Sequence, residues 1–360
     1  MAATDASAAV ARDALVERLF EGVLGMTDVY TVYMGDRLGL YEALAKGQGT
    51  EAEIAAATNT NRRYLREWLE QQAVTGIIEV DDPSKPPGER RYRLPDGYAE
   101  VLVDRDEPSY MTAFARMMAG LVRPLPRVLK AFRTGDGVPY ADFDADFLEG
   151  QGDMNRVQFV NSLASDWMPA LPDVHERLQA GGRIADVACG TGWSTIALAR
   201  AYPNADVDGL DLDEASIGLA KENAAQEGMD ISFEVRDAAD PGLSGRYDLV
   251  TCFEAVHDMS RPVESLRGMR SLLAEDGILL IADENVAEQF TAPGDEVERL
   301  MYGFSVFHCL AVGLEEQPSA ATGTAMRPDT LRGYAEEAGF TRFEILPIEN
   351  DFWRFYRLEG

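Results

Sequence analysis

Positive charge is scarce in this 360-residue chain. Its 33 lysines and arginines face 62 aspartates and glutamates, a formal net charge of -29. Phosphate backbones need cationic partners, and no basic run supplies them, so nucleic acid and the anionic face of a membrane are not expected partners. Cysteine is scarce too. Cys189, Cys252 and Cys309 are odd in number and far apart, which excludes a disulfide framework and a Cys-x-x-Cys metal site. No apolar run approaches the ~18 residues of a membrane span. The opening MAATDASAAVARDALVERLF carries charges inside its apolar stretch, unlike a signal peptide. The expectation is a cytoplasmic protein. What the chain does have is apolar residues, 46% of the total, enough for a sizeable core and two domains.

The first part reads as helical. A helical pattern covers Val29 to Ala45 and ends at Gly47. Thr50, with Glu53 three residues later, forms a capping box for a short helix through Ala57. After TNTN comes the helix RRYLREWLEQQAVTG. The segments IIEV and RRYRL flank the Pro-rich DDPSKPPGE as a two-stranded wing. Helix, turn, helix and hairpin make a winged helix. Its second helix carries Arg62, Arg63 and Arg66 but also Glu67 and Glu70, so a structural or dimerising role is expected rather than DNA reading. Between 109 and 171 the chain is helical and rich in Met and aromatics. Tyr110, Met111, Phe114, Met117, Met118 and Leu121 recur at helical spacing, as core or interface, with a substrate-pocket wall as the alternative.

From Arg183 strands alternate with helices, the pattern of a parallel α/β sheet. A mostly helical insertion covers 285–327, and TRFEILPI and FWRFYRL close the chain as an antiparallel pair. Three parts follow: a helical, winged-helix domain over 1–105, a helical linker and pocket segment over 106–175, and an α/β domain over 176–360.

The chemistry sits at strand ends of that last part. DVACGTG (186–192) lies between a strand and a helix, and its glycines let the backbone approach a ligand. A dinucleotide fingerprint would place a third glycine at 195, where Thr195 stands. Asp186 would repel a pyrophosphate but attract an ammonium group, so the loop suits a cationic amino-acid moiety. Asp211 ends the next strand, where a carboxylate bonds ribose hydroxyls. Asp213 reads as the cap of the following helix. Asp237, followed by Ala238, ends the third strand, placed for an adenine amino group and ring nitrogen. Beyond the fourth strand stand Glu254, His257 and Asp258, over the ligand crevice. Histidine is the usual general base near neutral pH, and a packing role for His257 is the alternative. His175 is expected to be exposed and His308 to pack in the core. The spacing of Glu254, His257, Glu284 and His308 matches no compact metal motif, so no metal is expected.

With DVACGTG, Asp211, Asp237 and the His257-Asp258 pair in this order, the chain from about 183 resembles the class I S-adenosylmethionine-dependent methyltransferases. The match departs at Ala188, where glycine is usual. The resemblance implies a Rossmann-like seven-stranded sheet with an antiparallel last strand. It implies S-adenosylmethionine as cofactor, with Asp186, Gly190 and Gly192 about the methionine part, Asp211 about the ribose and Asp237 with Ala238 about the adenine, and with Ala188, Trp193, Leu212 and Phe253 as further cofactor-binding residues. A winged helix ahead of such a domain is similar to the small-molecule O-methyltransferases, in a bacterial branch that ERLMYGFSVFHC also resembles. That implies a homodimer, a small apolar or aromatic acceptor of the kind found in secondary metabolism, His257 as base, and Asp258 or Glu254 orienting its ring. N- or C-methylation, and a cofactor-sensing DNA-binding regulator, are the competing readings.

Overall fold

Thr50 caps its helix as the spacing predicts. Its hydroxyl accepts from the Glu53 N–H, and the Glu53 carboxylate accepts from the Thr50 N–H at 2.8 Å. The computed structural model describes residues 2–360, with side chains from Ser7 onward. The chain forms two compact units, residues 1–119 and 120–360.

In the first unit the helices Glu51–Thr58 and Arg62–Thr75 meet a small sheet in the order β1 (Gly49–Thr50), β3 (Arg91–Arg93), β2 (Glu79–Val80). Strand β1 adds a third member to the expected two-stranded wing. The core is Leu40, Tyr41, Leu44, Leu65, Trp68 and Leu69 with their neighbours. The helix read over 29–45 is two helices: Ala2–Arg37 and Leu40–Ala45, separated at Gly39, whose φ of 66° no helix interior tolerates. The stretch dismissed as a signal peptide is thus the start of a 36-residue helix.

The second unit is built on a seven-stranded sheet in the order β6-β5-β4-β7-β8-β10-β9. The strands are β4 (Arg183–Val187), β5 (Asp206–Asp211), β6 (Ser232–Val235), β7 (Tyr247–Phe253), β8 (Leu273–Glu284), β9 (Arg342–Ile345) and β10 (Trp353–Glu359). Strands β4 to β8 pair in parallel, and β10 runs antiparallel between β8 and β9. Both faces are covered, so the central strands are continuously apolar: Ile278 to Ala282 are all buried. Strand order reverses beside β4, and such a switch point opens a crevice beyond the strands' C-terminal ends. The insertion 285–327 is less helical than expected. Helical turns run only from Glu296 to Gly313, and the rest is irregular.

Candidate active site

A cavity of about 390 Å³ opens at that crevice. Four strand ends wall it: residues 187–191, 193 and 194 at the end of β4, 211–213 at the end of β5, 236–239 after β6, and 253–255 and 258–261 at the end of β7. The glycine-rich turn is held open by backbone that ordinary residues avoid. Ala188, Gly190 and Gly192 have φ of 57°, 52° and 83°. A left-handed alanine costs about 1 kcal/mol, the local reason glycine is usual at 188. A Cβ at Gly192 would lie 2.8 Å from Ala220 Cβ, so this glycine lets the turn press on the helix Glu214–Gln226.

Of the expected cofactor residues, Ala188, Gly190, Trp193, Asp211, Leu212, Asp237, Ala238 and Phe253 line the cavity. Gly192 and Asp186 stand behind the wall. Asp186 is buried and accepts from Ser194 Oγ at 2.5 Å, Thr195 Oγ1 at 2.7 Å and Thr251 Oγ1 at 2.7 Å. Its carboxylate ties turn to helix and strand. Asp211 accepts from the Gly190 N–H and the Asp213 N–H, both at 2.8 Å. Burial pushes its carboxyl up to about 6, against the pull of those two bonds. Asp213 caps its helix by accepting from Ser216 N–H at 2.7 Å and lines the cavity as well. Asp237 accepts from Arg261 at 3.2 Å, and Arg261 also reaches Glu316 at 3.3 Å, a tie across the cavity mouth.

The expected catalytic residues divide. Glu254 and Asp258 line the cavity; His257 does not. The His257 ring is 2% exposed, with Nδ1 2.7 Å from Asp283 Oδ1 and Nε2 3.2 Å from Asp258 Oδ1. Burial disfavours a charged ring, yet Asp283 and Asp258 together hold its pKa well above the usual histidine value. Both ring nitrogens meet carboxylates. Asp283, from β8, meets Nδ1, a partner the sequence did not indicate, while Asp258, expected beside the ring, meets Nε2. His308 packs in the core as expected, its ring 4.4 Å from that of Phe143 and 4.5 Å from that of Phe147, and burial pulls it down to about 4. His175 is half-buried, not exposed, with Nδ1 2.7 Å from the Tyr202 hydroxyl. His257, Asp258 and Cys309 bring three potential ligand atoms within 4.8 Å of one another, a cluster the sequence spacing did not reveal.

Several wall residues escaped the sequence. The helix Ala145–Gln158 presents Leu148, Gln151, Gly152 and Asn155 to the cavity, and Tyr140 and Ala141 precede it. Only Leu148 of those four is a large apolar residue, so no apolar stripe marked this face in the sequence. A Cβ at Gly152 would lie 2.1 Å from Thr191 Oγ1, so this helix presses directly on the glycine-rich turn. The stripe Tyr110 to Leu121 supplies core positions, with Tyr110, Met117 and Leu121 buried, and none of it lines the cavity.

Residues 178–324 match the family model described as a methyltransferase domain, and residues 29–104 that of an Rv2258c-like winged HTH domain. The ubiquinone biosynthesis O-methyltransferase of Coxiella burnetii is 25% identical over 223 residues, 59% of this chain and 86% of that protein. That of Marinobacter nauticus is 29% identical over 152 residues, 37% of this chain and 63% of that protein. Among solved structures, mitomycin 7-O-methyltransferase MmcR superposes with a TM-score of 0.70 at 18% identity, over 97% of this chain and 99% of that one. Human N-acetylserotonin methyltransferase in complex with S-adenosylmethionine gives 0.66 at 17% identity, over 96% and 97%. These two establish a shared fold.

Proposed function

We propose that this chain, an S-adenosylmethionine-dependent methyltransferase with an N-terminal winged-helix domain, methylates a small molecule at a hydroxyl oxygen. The observation that carries the proposal is the cavity at the sheet's switch point, with the carboxylates Asp211, Asp213, Asp237, Glu254 and Asp258 on its wall. A cavity of about 390 Å³ suits one such ligand. When bound, S-adenosylmethionine supplies an already activated methyl group, so the protein has only to align the acceptor and manage a proton. Gly190 and Trp193 hold the methionine part, Asp211 with Leu212 the ribose, and Asp237 with Ala238 the adenine. Leu148, Phe159, Phe253, Met259 and Val312 give the cavity an apolar side, which favours an apolar or aromatic acceptor. Val312, Glu315 and Glu316 bring the insertion 285–327 over the cavity as its lid. The O-methyltransferase names of the relatives support oxygen over nitrogen or carbon.

The winged helix serves assembly in this reading. Arg62 and Arg66 are both spent on Glu51, and Arg63 on Glu67, which leaves the second helix little charge for DNA. The helix Ala2–Arg37 exposes Val10, Val16, Leu19, Phe20, Val23 and Leu24, and a second copy of the chain is the partner that covers them. Sedimentation at micromolar concentration should show a dimer. A monomer would end that part of the proposal.

The activity is tested with methyl-labelled S-adenosylmethionine and a panel of catechol, 4-nitrophenol, 2-naphthol, benzyl alcohol and benzylamine. Label is expected in aryl methyl ethers. Label confined to the amine, or to ring carbon, would replace O-methylation by the competing reading.

A further inference from the structure

The cavity wall is unevenly charged. Beyond the aspartates that follow β5 and β6, it carries Glu254, Asp258, Glu315 and Glu316, against the guanidiniums of Arg236 and Arg261. Both cations are already taken. Arg261 reaches Asp237 at 3.2 Å and Glu316 at 3.3 Å, and Arg236 reaches Glu234 at 3.3 Å and Asp240 at 3.9 Å. Glu254, Asp258 and Glu315 have no lysine or arginine partner among the described residues. Glu254 accepts from Asn155, Asp258 meets ring nitrogens of His257 and His308 at 3.2 Å and 3.8 Å, and Glu315 accepts from the Tyr140 N–H at 3.2 Å.

Glu315 differs from the other two in belonging to the lid and in being exposed. Its backbone is nonetheless well anchored. Its N–H donates to Val312 O at 2.8 Å, and the Val138 N–H donates to Ala311 O at 2.9 Å. A Cβ at Gly137 would lie 2.2 Å from the Glu315 N, so the segment leading to Tyr140 packs directly on the lid. Val312, three residues earlier, also lines the cavity, and one lid turn thus offers an apolar contact and a carboxylate side by side.

We propose that the methyl acceptor is a hydroxyl compound carrying a basic nitrogen, and that Glu315 is the specificity-determining residue that meets its ammonium charge. This rests on the O-methyl transfer proposed above and names its substrate class.

Charge complementarity carries the assignment. An acceptor with a carboxylate or phosphate meets like charge on this wall and finds no unpaired guanidinium there, which discriminates against it. An ammonium group meets uncompensated carboxylates instead. The donor, when bound, brings a sulfonium and an ammonium against one carboxylate, so it offsets a single charge and leaves the wall negative. The chain's net charge of -29 acts in the same direction, because its field concentrates cations at the cavity mouth.

The test uses the full chain and three catechols that share one reacting ring. 4-(2-Aminoethyl)catechol carries an ammonium, 4-propylcatechol no charge and 3,4-dihydroxyphenylacetate a carboxylate. Label on the ring oxygen is scored. kcat/KM should be highest for the amine and at least about tenfold lower for the acid. Raising salt from about 0.01 M to about 1 M should shrink that preference. Glu315→Gln keeps an acceptor for the Tyr140 N–H. It should cut the amine's advantage over 4-propylcatechol by about threefold to fivefold, through KM, and leave 4-propylcatechol within about twofold of wild type. Equal kcat/KM for all three, a preference for the acid, or the same loss on all three in Glu315→Gln would overturn the assignment and leave O-methyl transfer standing. If no catechol is methylated, the parent reading fails, and calorimetry of the three against the S-adenosylhomocysteine complex decides the charge preference alone. Tightest binding of the amine supports it; no binding, or binding of the acid equal to that of the amine, overturns it.

Discussion

Glu51 in the first unit and Glu284 in the second are both almost fully buried, at 0% and 3% exposure, yet they hold their protons in opposite ways. Glu51 accepts from Arg66 and Arg62, and those bonds pull its carboxyl down to about 2. At Glu284 burial, and then the charge of Glu254, drive the pKa up against the pull of His257. The winged-helix unit neutralises its buried carboxylate with guanidinium, which fixes a helix and leaves nothing reactive. The α/β unit leaves carboxylates uncompensated beside its cavity, which costs stability but keeps them able to exchange a proton or to meet a cationic ligand. Asp211 stands between the two cases, held by backbone N–H groups alone and raised to about 6.

The largest effect that would break the comparison is at Glu51. Glu51→Ala leaves Arg62 and Arg66 facing each other without their shared anion. Removing one partner of a buried pair costs on the order of 3 kcal/mol, at the low end here because both arginines reach water. Urea unfolding of the first unit should show that loss at pH 7. The wild-type advantage should shrink as pH falls from about 4.5 toward 2, where Glu51 takes up its proton in the folded state too. An unchanged midpoint would mean that the arginine clamp contributes nothing.

Asp211 sharpens the intermediate case. Asp211→Ala should weaken S-adenosylhomocysteine binding by roughly 2 kcal/mol through lost hydrogen bonds to the ribose. The wild-type affinity should fall as pH drops through about 6, because a protonated carboxyl offers one acceptor fewer; Asp213 and Asp186 help to raise it. The loss approaches tenfold per pH unit, the limit for one proton. Calorimetry between pH 5 and pH 8 measures both. A pH-independent affinity would detach Asp211 from the ligand.

These contrasts also show what sequence could convey. Strand alternation, DVACGTG, and an Asp at each of two successive strand ends are local signals, and they located the sheet and much of the cavity wall. The pairing that fixes His257 is not local, since Asp283 lies 26 residues away on a neighbouring strand. Asn155 reaches Glu254 across 99 residues. Asp186 looked like a ligand group because of its position; its three hydroxyl partners, Ser194, Thr195 and Thr251, became evident only when turn, helix and strand were brought together. The helix Ala2–Arg37 was read as helical only from Val29, and the opening stretch was judged only for what its charges excluded.

The smallest effect separates the two units by sign. Glu284 holds its proton in the folded chain far above the range where an unfolded glutamate releases it. Between those two pKa values the native state carries a proton that the unfolded state has lost, so raising the pH favours unfolding. Glu284→Gln has no proton to lose and keeps a neutral donor toward Glu254. The variant should match wild type near pH 4 and gain on it as pH rises, by about 1 kcal/mol at pH 8, the usual scale of a gain from relieving a strained functional site. Glu51 must show the reverse, because its folded pKa is lowered and its contribution is complete above the unfolded value. Unfolding midpoints of Glu51→Gln and Glu284→Gln, taken against pH in the full chain, should therefore diverge from wild type in opposite directions. If Glu284→Gln destabilised the protein at pH 8 as Glu51→Gln does, the Glu284 carboxyl would be charged and paired like that of Glu51.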